Sequence, residues 1–155
     1  MAVQPIPEGY PRVTPYLNIA GAADAIDFYC KVLGASERMR MDGPGGSIGH
    51  AELDVAGSVI MLADESPEAG NKSPLTLCGT PVSLMLYVED VDSTYSAAIA
   101  AGATEIQAVD DKFYGDRSGM FKDPWGHEWT VATHVEDVSE EEMGRRMAEM
   151  QQGSG

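Results

Sequence analysis

The chain spells the same pattern twice, and that repeat constrains its fold more than any single motif. Residues 14–19 read as a strand, followed by an apolar-periodic stretch through Ala22, Ala25, Ile26, Tyr29 and Leu33 that stops at Gly34-Ala35. Gly34 suits the position just past a helix C-terminus, where the backbone turns left-handed. Further on, residues 83–88 read as a strand, and Asp90 or Asp92 can cap a helix carrying Val91, Tyr95, Ala98 and Ile99, closed by Gly102-Ala103. Three strand-like stretches follow each helix: residues 36–41, 48–55 and 58–63 in the first half, and 104–109, 118–122 and 127–134 in the second. Gly43-Pro44-Gly45-Gly46, Ala56-Gly57 and Asp123-Pro124-Trp125-Gly126 supply turns between them. The expected fold class is therefore α+β, with two tandem βαβββ modules at residues 10–65 and 82–137 in a single domain.

Between the modules, residues 65–81 are rich in Pro, Gly, Ser and Asn and read as a mobile, exposed linker. Ser139-Glu140-Glu141-Glu142 has the form of a capping box, a Ser accepting from an orphan N–H while the Glu three positions on reaches back. It opens a C-terminal helix over residues 139–150, on which Met143, Met147 and Met150 share a face that suits packing against the body or a partner subunit. Residues 151–155 read as a frayed tail.

The 155 residues suffice to bury a core without disulfides or a structural metal. Cys30 and Cys78 lack the spacing of a disulfide framework or a zinc site and read as free thiols in a reducing compartment. A formal charge of −15 with only 10 Lys and Arg argues against nucleic acid as a partner, since binding phosphate backbones needs a basic stripe. Residues 1–7 lack the pattern of a secretion signal, and no stretch approaches the about 20 apolar residues of a membrane span. A cytoplasmic protein without membrane partners is expected.

Two βαβββ modules in tandem resemble the vicinal oxygen chelate superfamily, which includes glyoxalase I, extradiol dioxygenases, fosfomycin-modifying enzymes and bleomycin-resistance proteins. Ala25-Ile26-Asp27-Phe28-Tyr29, Leu33-Gly34-Ala35, Tyr87-Val88-Glu89-Asp90-Val91-Asp92, Tyr114-Gly115-Asp116-Arg117-Ser118-Gly119 and Asp123-Pro124-Trp125-Gly126-His127-Glu128-Trp129 are similar to its PhnB-like branch. The resemblance implies a glyoxalase/bleomycin-resistance fold, modules forming one small-molecule cavity, and a homodimer. In metal-using members the ligands come from the first and last strand of each module. Those places fall here on Thr14, Met61, Ser83 and Thr130, which offer no imidazole and no carboxylate, so no metal and no cofactor is expected.

Because side chains alternate along a strand, the inferred cavity face carries Tyr16, Asn18, His50, Glu52, Asp54, Met85, Tyr87, Glu128 and Ala132. Leu17, Ile19, Leu53, Ile60, Leu62, Leu84, Leu86, Trp129 and Val131 pack beneath the helices. His50, Glu52 and Glu128 are a conceivable shifted metal set. His50 with Glu52 two residues on is also a candidate base pair, or else a structural hydrogen bond. His127 belongs to a turn motif, and His134 reads as solvated. Tyr16, Tyr87, Met61 and Met85 suit a flat or apolar ligand, or a plain core. Tyr114 and Arg117 sit in a loop able to close over a ligand; Arg117 either pairs with an anionic ligand group or salt-bridges Asp116 or Asp123. The Gly43 turn lacks the Lys and helix start of a phosphate loop. Two functions remain open: metal-free binding or sequestration of a small molecule, or a glyoxalase-like lyase, isomerase or dioxygenase using an unconventional metal set or His50 and Glu52 as base.

Overall fold

A computed structural model describes residues 2–154. The chain divides into two compact units, residues 1–81 with 124–126, and residues 82–123 with 127–155. Each unit holds a four-stranded sheet of the same topology. In the first, β1 (Tyr16–Ile19), β2 (Ser36–Asp42), β3 (Ile48–Val55) and β4 (Ser58–Asp64) lie in the order β1-β4-β3-β2, and α1 (Ala22–Leu33) follows β1. In the second, β5 (Ser83–Tyr87), β6 (Thr104–Asp111), β7 (Asp116–Lys122) and β8 (Glu128–His134) lie in the order β5-β8-β7-β6, with a helix over Val91–Ala100 after β5. The first strand pairs parallel to the last in both sheets, and the other pairs are antiparallel. The repeat legible in the sequence is thus a repeat of topology.

Alternation decides which side of each sheet is covered. Leu17, Ile19, Leu53, Ile60 and Leu62 are buried, as are Ala22, Ala25, Ile26, Phe28, Tyr29, Val32 and Leu33 of α1, which packs on all four strands of its sheet. Trp125 sets its ring against Phe28 and Tyr29, with centroids 5.6 and 6.4 Å apart in edge-on geometry. In the second unit Trp129, Val131 and Phe121 are buried with Val91, Tyr95 and Ala98 of the helix. Leu84 and Leu86, expected in that core, are half-buried.

The helix starts are tied to the last strand at the same place in both modules. Asp64 Oδ1 accepts from the N–H groups of Gly21 and Ala22 at 3.0 and 2.9 Å, and its Oδ2 accepts from Ile48 N–H at 2.7 Å. Burial pulls this carboxyl upward, but the three amides outweigh it and leave it below the ordinary value near 3.8. In the second unit Thr133 Oγ1 accepts from Val91 N–H at 3.0 Å and donates to the Val88 carbonyl. There Asp90 adds the local cap, accepting from Ser93 N–H.

Three expectations are corrected. The linker is ordered: α2 (Pro74–Leu77) begins at a fully buried Ser73, whose N–H donates to Glu65 at 2.7 Å, and Thr76 donates to the same carboxylate. The second helix, α3, is Val91–Ala100 as above, and the terminal helix, α4 (Glu140–Gln152), runs two residues past its expected end, taking in part of the supposed tail; residue 155 lies outside the described residues. Its capping box is half-formed, because Ser139 accepts from Glu142 N–H while the Glu142 carboxylate turns to Arg145 and Arg146. No residue of α4 is buried, and Met147 and Met150 are exposed. Among the described residues no helix is long and apolar enough to cross a membrane.

Candidate functional site

The uncovered face of the first sheet holds the densest polar chemistry. His50 and Glu52 stand two residues apart on β3, hence on one face. His50 Nε2 lies 3.1 Å from Glu52 Oε1, and His50 Nδ1 lies 2.9 Å from Tyr16 Oη on β1. Glu52 is buried because Tyr10, from the irregular N-terminal segment, reaches over it and donates its hydroxyl to Oε2 at 2.8 Å. Tyr10 is itself held by the Arg38 guanidinium, 4.7 Å from its ring centroid. Burial raises the Glu52 carboxyl, yet hydrogen bonds from Tyr10 and His50 and the nearby positive charge bring it below the ordinary value near 4.5. It is therefore ionised at neutral pH. Sequence reading found Tyr16, His50 and Glu52 but missed Tyr10, which sits outside any periodic element.

A hollow of about 710 Å³ opens at one end of this face, lined by Tyr16, Asn18, the Gly43-Pro44 turn, Ser47, Ile48, Gly49 and the stretch Ala63-Asp64-Glu65-Ser66 with Asn71. The Gly43-Pro44-Gly45-Gly46 segment is the expected hairpin turn, joining the antiparallel β2 and β3 through a 3-10 turn, and its Gly43 and Pro44 wall the hollow. Both carboxylates in the wall are occupied by protein donors, Asp64 by three amides and Glu65 by Ser73 and Thr76. Met61 is half-buried and pairs across the sheet with both Tyr16 and Glu52, placing it in the row between them. Thr14 lies just outside β1, its hydroxyl turned to the Pro11 carbonyl.

In the second unit Met85 and Tyr87 are exposed on β5, and Thr130 and Glu128 are half-buried on β8, cross-strand from Met85 and Ser83. Tyr87 donates to Asp116 Oδ2 at 2.7 Å, and Asp116 Oδ1 lies 2.7 Å from His134 Nδ1. His134 is exposed, as expected of a solvated side chain, and is also held between Asp116 and Asp137; the hydrogen bond with Asp116 leads those that raise its pKa above 6.5. The register pairing Asp116 directly with His134 brings this about. The expected partners of Arg117 are corrected. Its Nε and Nη2 clasp both oxygens of Asp92 at 2.8 Å, and Nη1 reaches Asp111 at 3.1 Å, not Asp116 or Asp123. Asp123 accepts from His127 N–H and Trp129 Nε1, so the turn motif is a structural one. Tyr114 is partly exposed beside Phe113.

Thr14, Met61, Ser83 and Thr130, expected from the resemblance at the metal-ligand places, offer hydroxyls and a thioether. Among the described residues no three His, Cys, Asp or Glu side chains group so as to hold a metal ion. His50 and Glu52, two members of the shifted set, turn to each other. These donors do not fit a hard divalent metal.

A family model described as "Glyoxalase/Bleomycin resistance protein/Dioxygenase superfamily" matches residues 12–131. An uncharacterized protein of Mycobacterium bovis is 42% identical over 148 residues, covering 94% of this chain and 96% of its own. Among solved structures, protein PA1353 from Pseudomonas aeruginosa superposes with a TM-score of 0.67 at 23% identity, over 81% of this chain and 99% of that one. A Bacillus cereus structure described as a putative 3-demethylubiquinone-9 3-methyltransferase, PhnB protein, gives 0.61 at 18% identity, over 79% and 99%. These two likenesses concern the fold.

Proposed function

Because the chain belongs to the glyoxalase/bleomycin resistance protein/dioxygenase superfamily, we propose that it binds and sequesters a small molecule without a metal of its own. The observation that carries this reading is the hollow on the open face of the first sheet, walled by Tyr16, Asn18 and turn backbone, in a fold whose ligand places hold no metal-binding side chains. Its volume lies in the range of small-molecule sites, which run from about 300 to 1,000 Å³. A chain charge of −15 favours neutral or cationic ligands. The quoted motifs support placement in the PhnB-like branch, and the protein acts in the cytoplasm as a homodimer, which light scattering on the purified chain tests.

A thermal-shift screen of neutral and cationic small molecules, run with and without chelator, tests the binding reading. Sequestration expects ligands bound at about one per chain, insensitive to chelator, unchanged on recovery, and lost when Asn18→Trp fills the hollow. Many turnovers per chain contradict it.

The hydrogen-bonded set of Tyr16, His50 and Glu52 favours a second reading, in which the same hollow supports proton-transfer chemistry of a lyase or isomerase kind. His50→Ala is its test. An activity that survives this change unaltered rules out His50 as part of the base.

A further inference from the structure

Glu52 is ionised and accepts only, so the His50 Nε2 facing it at 3.1 Å must carry a proton. In the neutral imidazole that leaves Nδ1 as an acceptor, 2.9 Å from the Tyr16 hydroxyl, which therefore donates. Of the three, Tyr16 is the most exposed, at 49%, and it alone lines the hollow. Glu52 is covered by Tyr10. We propose that Tyr16 is the group that exchanges a proton with a ligand in the hollow, with His50 as the proton acceptor behind it and Glu52 as the positioning anion. This rests on the reading of the hollow as the ligand site, and it moves the reacting atom from the imidazole to the phenol oxygen.

The step balances within the chain. The Tyr16 O–H bond breaks and its proton passes to His50 Nδ1, giving an imidazolium whose Nε2–H stays against Glu52. The phenolate oxygen takes a proton from an acidic C–H, O–H or N–H of the ligand, and His50 returns its own proton to the ligand or to solvent. The imidazolium so formed lies between the Glu52 carboxylate and the phenolate, 3.1 and 2.9 Å away in the resting contacts, and both anions stabilise it. The ligand class is a neutral or cationic molecule with such an acidic hydrogen.

The second unit supplies an internal control. Tyr87 is exposed to 55%, an exposure similar to that of Tyr16, but its hydroxyl donates directly to the Asp116 carboxylate at 2.7 Å with no imidazole between. That bond pushes the Tyr87 phenol up. An imidazole acceptor activates a hydroxyl toward acyl groups, as in other base-assisted nucleophiles. With p-nitrophenyl acetate as probe, the Tyr16 phenolate attacks the acetyl carbon, p-nitrophenolate leaves, and an aryl acetate remains on Tyr16. Peptide mapping after timed exposure of the full chain compares the two tyrosines.

The relay expects Tyr16 to be acetylated about tenfold or more faster than Tyr87, a difference abolished by His50→Phe. A solvent deuterium isotope effect on Tyr16 acetylation, absent from that of Tyr87, is a sign of base assistance that a purely structural histidine does not give. Tyr16 reacting no faster than Tyr87, or unaffected by His50→Phe, overturns the proposal. Should the His50 variants fail to fold by circular dichroism, the Tyr16-to-Tyr87 ratio in the unaltered chain decides alone. Fast Tyr16 acetylation alongside a ligand screen with no hits upholds the relay and rejects the hollow as a ligand site.

Discussion

Glu52 concentrates the chemistry of the first module in one buried carboxylate with two side-chain partners. Removing it strands the Tyr10 hydroxyl and one imidazole nitrogen. Glu52→Ala is therefore expected to cost about 1–3 kcal/mol of stability, read as a shift in the urea midpoint at unchanged slope. At His134 the sign of the pH dependence is set by its raised pKa. A group more basic in the folded state stabilises fully below its unfolded value near 6.5, and that contribution fades as pH rises through the higher folded value. Melting temperatures measured from pH 5.5 to 9 should fall across this window, and His134→Gln should flatten that part of the curve. The pairing of His50 with Glu52 was legible because two positions on one strand share a face. Tyr10 was not, since it comes from irregular chain, and neither was Asp116 with His134, which only the β7–β8 register joins.

Among the elements, the ends of helices and strands hold what propensity does not. Gly21 precedes α1 in a left-handed conformation and has no capping side chain, so Asp64 of β4 does the work from across the module. Asp64→Ala should cost about 2 kcal/mol, at the upper end of capping effects because the Ile48 amide is freed as well. The stability carried by this carboxylate is present above the ordinary value near 3.8 and is lost as pH falls through its lower folded value, so the variant should show a weaker acid transition. On β7, a Cβ at Gly119 would lie 2.8 Å from Val109 Cγ2 and 2.9 Å from the Tyr95 ring. Gly119→Ala is expected to lose about 1–3 kcal/mol through overpacking, measurable by thermal melting. Strand and helix order were readable from periodicity and turn residues. The ordering of the linker was not, because composition alone hides the contact between Glu65 and the start of α2.

At the scale of the molecule, the twofold pattern in the sequence becomes two sheets of one topology, and the match of the family model over residues 12–131 shows the superfamily. Alternation also identified the open face of each sheet, with Tyr16, Met85 and Tyr87 all exposed there. The hollow itself was not readable, since its walls join β1, β4, the turn before β3 and the linker, segments that only the folded chain brings together. On the reading proposed above, this hollow serves a ligand without a metal. Elemental analysis of protein purified without chelator, then offered Mn, Fe, Co, Ni and Zn, tests it directly. Less than about 0.1 metal per chain is expected to stay bound through dialysis, because an incomplete donor set forfeits the tight affinity of a built site. About one tightly held metal per chain would contradict it and turn attention to a metal-dependent reaction.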